Sequence, residues 1–167
     1  MTAIKAQLKK LFHDLNIRIE EINRERSGEG LIPFKKANIR LLGQVSLLAN
    51  EKVSLILTLA QTGDLDAALK MDHVVKEELK KLLLPLGFIY DEDSFQIWIP
   101  PGSVFEKMFD LPNLSVESID PESALVSKAV KAPLKNKVLI REAIASNAFP
   151  KLAARIVKNG GRLEDFL

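Results

Sequence analysis

Apolar residues Ile4, Leu8, Leu11, Leu15, Ile19 and Ile22 recur at three- and four-residue steps. That period puts them on one face of an α-helix and predicts a helix over residues 3–26. Ser27-Gly28-Glu29-Gly30 ends it, and Pro33 keeps the connection non-helical. The short apolar run Asn38–Leu42 suits a buried strand closed by Gly43-Gln44. Residues 45–61 read as a helix through Val45, Leu48, Leu55 and Leu59, broken by Thr62-Gly63. Asp64-Leu65-Asp66-Ala67-Ala68-Leu69 fits two patterns, a strand with alternating carboxylates or the capped first turn of a helix. From His73 to Leu84 the period is helical again, with Gly87 as its stop.

Further along, Phe88-Ile89-Tyr90 and Ser94–Ile99 flank Asp91-Glu92-Asp93 and predict a hairpin with a solvated acidic turn. Phe105, Met108 and Phe109 have the spacing of a short helix, and Leu114–Ile119 alternates as a strand does. After Pro121 the chain reads as helices split near Ala132-Pro133 and Phe149-Pro150. The order of elements predicts an α/β (α+β) protein with a small mixed sheet. Its expected parts are an N-terminal helical arm at 1–30, a core at 31–120 and a C-terminal helical segment at 121–167. So long an apolar stripe predicts either a packing arm or a dimer element, the latter a homodimer through the N-terminal helix.

Composition narrows the function classes. The 167 residues include no cysteine and two histidines, His13 and His73, so thiolate and multi-histidine metal sites and a cysteine nucleophile are excluded. No apolar run approaches a membrane span, and the N-terminus lacks a signal-peptide core, which predicts a cytoplasmic protein without membrane contact. The net charge of +2 hides a segregation. Residues 127–162 hold nine basic side chains against one acid, whereas residues 34–126 hold nine basic and fourteen acidic ones. A basic helical flank beside an acidic core is the charge layout of a phosphate-handling site.

The chemistry-bearing pattern is a strand ending at Gly43-Gln44, then a helix, then Asp64-Leu65-Asp66. Carboxylates at i and i+2 on a strand share a face and can bind Mg²⁺, which favours carboxylate oxygens together with substrate phosphates. A glycine entering the helix lets phosphate oxygens approach the backbone.

This arrangement resembles the nucleotidyltransferase superfamily, and in particular its bacterial abortive-infection and toxin–antitoxin members. Pro121–Lys128 resembles the opening of the helical segment that follows the catalytic sheet in those proteins. The resemblance implies Mg²⁺ as cofactor, a nucleoside triphosphate as donor, and an RNA, protein or small-molecule hydroxyl as acceptor. It assigns Asp64 and Asp66 as catalytic metal ligands, Glu117 as the third carboxylate, and Gly43, Gln44 and Lys128 as contacts to the nucleotide. Gln44 stands where the family has a second small residue, and Asn136 where it has an aspartate. The acidic residue expected on the Gln96-Ile97-Trp98 segment is lacking. These departures carry a second expectation, an inactive, non-enzymatic interaction or nucleic-acid-binding protein built on the same scaffold.

Overall fold

The computed structural model describes residues 2–167. The chain forms a mixed α+β structure around a four-stranded sheet. Helix α1 (Ala3–Gly28) opens the chain, with the Thr2 side chain accepting from the Lys5 N–H. Strand β1 (Ala37–Leu41) follows, and then two short helices, α2 (Gly43–Leu48) and α3 (Glu51–Ile56), stand where the periodicity predicts one. Asn50 makes the break, because its side chain accepts from the Val53 N–H and restarts the helix.

Strands β2 (Asp64–Leu65) and β3 (Ala67–Lys70) decide between the two readings of the Asp64–Leu69 segment. It is extended, and the cap of α4 (His73–Leu83) is Asp72, whose side chain accepts from the Val74 N–H. Strand β4 (Ile89–Tyr90) does not turn back as a hairpin; it pairs in parallel with β2, Leu65 opposite Tyr90. Residues 94–96 form a single 3-10 turn instead of the second arm. One cause is local, the Asp91 side chain accepting from the Asp93 N–H at 2.9 Å, and one is tertiary, the Ser94 hydroxyl accepting from the Ala67 N–H.

Strands β5 (Phe105–Leu111) and β6 (Leu114–Ile119) form a hairpin with Leu111 opposite Leu114. Phe105, Met108 and Phe109 therefore lie on a strand, their helix-like spacing produced by a bulge between Lys107 and Phe109. The sheet order is β3-β1-β6-β5, with β6 parallel to β1 and the other pairs antiparallel. Helices α5 (Pro121–Lys131), α6 (Lys137–Ala145) and α7 (Leu152–Lys158) break where the two prolines predict.

One sheet face, carrying Ile39, Leu41, Leu114 and Val116, packs on α1 and α4. Helix α1 spends its stripe there: Leu8, Phe12 and Leu15 are fully buried. Helix α1 is thus part of the core, its apolar face covered by this chain's own sheet and α4. At roughly 1.5–3 kcal/mol per buried large side chain, the packing far exceeds the helix's intrinsic propensity. The other face is covered only at one end, where Leu42 and Ile119 pack with α5, α6 and α7. Between those helices and the sheet runs a cleft. Among the described residues no helix is long and apolar enough to cross a membrane.

Candidate functional site

The cleft has a volume of about 350 Å³ and is lined by Gly43, Asp66, Asp91, Trp98, Lys128 and Lys135, among others. Each side chain is delivered by a definable piece of backbone. β1 ends at Leu41, and the Leu42 N–H donates to the Asp66 carbonyl at 2.9 Å, which places Asp66 beside the start of α2. Gly43 has φ of +56°, a left-handed conformation costly for any residue with a Cβ. A Cβ built on Gly43 would collide with Oδ2 of Asp66. The glycine is therefore required twice, by its own backbone and by the carboxylate seated against it.

Asp91 arrives by the parallel pairing of β4 with β2, its N–H donating to the Leu65 carbonyl at 3.0 Å. Its side chain shares a hydrogen bond with Asp66. The Asp66 carboxyl is pushed up to about 6, first by burial, then by the hydrogen bond and charge of Asp91, then by the charge of Asp64; Lys128 acts in the opposite direction. Asp64 itself is exposed and does not line the cleft, its N–H donating to the Thr62 hydroxyl.

The opposite wall is basic. Burial, and then the charge of Lys135, lower the Lys128 ammonium from its ordinary value, while Asp66 acts to raise it. Lys131 lies 5.2 Å from the centre of the Trp98 ring, and the Ser127 hydroxyl donates to the Trp98 carbonyl at 2.6 Å. Lys128, Lys135 and Asn136 also line a second recess of about 380 Å³ that holds Gln44. Gln44 donates to the Ala60 carbonyl at 2.8 Å, so its side chain is tied to the recess wall. The Asn136 amide donates to the Lys128 and Ala132 carbonyls and closes the end of α5.

The residues expected to act together are thus brought together in part. Gly43, Asp66 and Lys128 meet, with Asp64 close enough to act on Asp66 and Gln44 in the adjoining recess. Glu117 does not join them. It sits on β6 opposite Arg40 of β1 and accepts from Arg40 Nε at 2.9 Å, on the part of the sheet face that no helix covers. The third carboxylate at the cleft is Asp91, which the sequence reading assigned to a solvated turn. Its only sequence signal is the acidic Asp91-Glu92-Asp93 cluster; the parallel pairing that aims it at Asp66 joins strands 25 positions apart. Among the described residues, no three His, Asp or Glu side chains are spaced as a ready metal cage. Two adjacent carboxylates, once ionised, are nevertheless the donor set Mg²⁺ uses when substrate phosphates supply the remaining oxygens. Comparison of the chain with protein-family models, curated proteins and solved structures returns no match.

Proposed function

We propose that the cleft binds a nucleoside triphosphate with Mg²⁺ and transfers its nucleotidyl group to a hydroxyl acceptor. The observation that carries this reading is the seating of Asp66 against Gly43, with Asp91 beside it and Lys128 and Lys135 across the cleft. Asp66 and Asp91 would hold the ion, which when bound supplies charge neutralisation at the reacting phosphate. Lys128 and Lys135 face the triphosphate and offset its charge. Asp66, beside the reacting phosphate, is placed to accept the proton of the attacking hydroxyl. The acceptor oxygen forms its bond to the α-phosphorus, the bond to the bridging oxygen breaks, and pyrophosphate leaves into the basic side of the cleft.

The tethered Gln44, whose side chain is held on the recess wall where a nucleotide would approach, favours the second reading, a binding module without catalysis. Both are separated by incubating the chain with α-labelled nucleoside triphosphates, Mg²⁺ and an RNA acceptor. Asp66→Asn and Asp91→Asn are expected to abolish label transfer, while Glu117→Gln leaves it intact. Absence of transfer by the unaltered chain, or transfer undiminished in both aspartate variants, would remove the enzyme reading.

A further inference from the structure

The uncovered half of the sheet face holds a cavity of about 1070 Å³. Its floor is β1 and β3, and its wall is the segment joining α1 to β1. Five cations line it, Arg26, Lys35, Lys36, Arg40 and Lys70, against one acid, Asp72. Two are neutralised in place, Lys36 by Asp110 at 2.6 Å and Arg40 by Glu117 at 2.9 Å. Among the described residues no carboxylate lies within ion-pair distance of Lys35 or Lys70, and Arg26 Nε donates to the Ile32 carbonyl. Three cationic side chains are thus left to face a ligand.

The groove is more than a charged surface. The Arg26 guanidinium lies 4.1 Å from the centre of the Phe34 ring, and that of Arg40 lies 4.4 Å from the centre of Phe105. A guanidinium resting over an aromatic ring is held in place by it, and the Arg40 side chain stays 47% exposed. Guanidinium planes stack on nucleobases while the same cations contact phosphates. The carboxylates of an acidic peptide pair with the edge donors of a guanidinium and leave its face unused.

The groove also has a direction. Asn38 pairs with Lys70, Arg40 with Ala68, and Leu42 donates to the Asp66 carbonyl. Alternate residues of a strand share a face, so Lys70, Ala68 and Asp66 form one row beside Asn38, Arg40 and Leu42. At about 3.3 Å per residue, the basic end lies roughly 13 Å along the strands from Asp66. We propose that this groove binds single-stranded nucleic acid and delivers its terminal hydroxyl to the Asp66 cleft. Delivery rests on the transfer reading above; binding does not.

The test is fluorescence anisotropy of labelled oligouridylate, about 12 nucleotides long, with the full chain and without nucleoside triphosphate or Mg²⁺. Three phosphate contacts predict a salt slope near −2, an affinity loss of about 20-fold between about 50 and 200 mM salt. Lys35→Glu/Lys70→Glu should weaken binding at least about tenfold. Lys35→Gln/Lys70→Gln should flatten the slope to that of about one contact, and it preserves the fold because both side chains are exposed. Lys151→Glu/Lys158→Glu on α7 should change affinity less than about twofold. No binding at the low salt, equal losses in the groove and α7 variants, or polyglutamate binding as tightly as the oligonucleotide would overturn the proposal. Oligonucleotide binding without label transfer would overturn only the transfer reading. Transfer to a small hydroxyl acceptor without oligonucleotide binding would overturn this one alone.

Discussion

Asp66→Asn separates the fold's interest from that of the site. The Asp66 carboxyl titrates near 6 in the folded chain against about 3.8 when unconstrained, with burial as the largest cause and Asp91 next. An acid whose folded pKa is raised binds its proton more tightly in the native state. Its ionisation therefore costs stability: the cost is nil below about pH 4, grows as pH rises through the window from about 4 to 6, and is complete above it. Two units correspond to about 3 kcal/mol, which solvent screening of a half-buried carboxyl reduces to about 1–2 kcal/mol. Asparagine keeps the shape, donates to Asp91 and carries no charge. The variant should melt about 3–6 °C above the unaltered chain at about pH 7.5. The difference should close as pH falls to about 4. Differential scanning calorimetry across that range, with reversibility checked by a second scan, measures it. A variant that melts at or below the unaltered chain at the higher pH would refute the account of Asp66 as a strained acid. Added Mg²⁺ should raise the melting temperature of the unaltered chain more than that of the variant, since a cation relieves the repulsion that asparagine already lacks.

Gly43→Ala places a left-handed residue where a Cβ meets Asp66 Oδ2, and should cost more than about 2 kcal/mol in denaturant unfolding. In an Asp66→Ala background that contact is gone and the cost should fall to the backbone share, about 1–2 kcal/mol, so a double-mutant cycle reads their coupling. Glu142 accepts from the Thr58 N–H at 3.0 and 3.1 Å and from its hydroxyl, holding the loop after α3 against α6. Glu142→Gln should lower stability by about 1 kcal/mol and speed hydrogen exchange at the Thr58 amide. Arg155 joins Glu122, the Ser123 hydroxyl and the Pro101 carbonyl with its side chain only 16% exposed. Lysine cannot make that fork, so Arg155→Lys should cost about 1–2 kcal/mol in chemical denaturation, although it keeps the charge.

Helices whose apolar period ran unbroken against punctuating residues were legible in the chain: α1, α4 and α5–α7 fall where spacing, Gly and Pro place them. The strands β1 and β6 were equally readable, each a short apolar or alternating run. What failed was pairing. Nothing local in Phe88-Ile89-Tyr90 says that its partner is Asp64-Leu65 and not Ser94–Ile99, because cross-strand contacts are formed at a distance that composition does not encode. The bulge in β5 had the same effect, lending a strand the spacing of a helix. The site followed suit. Gly43, Asp66 and Lys128 were visible as residue types around a strand–helix junction, whereas Asp91 needed the β2–β4 pairing and Glu117 lost its place to Arg40 across β1 and β6.

The depth at which α1 is embedded sets a timetable for the newborn chain. Its Asn16 side chain accepts from the Asn113 N–H, 97 positions later, and its apolar stripe waits for α4 and for β6. At about 5–20 residues per second, a helix completed first would remain without its partners for about 5–20 s of synthesis. Fragments released before α4 is made carry that stripe bare, and should collect in the insoluble fraction while the full chain does not. Interrupted translation is then a sharper hazard for this protein than any single substitution on its surface.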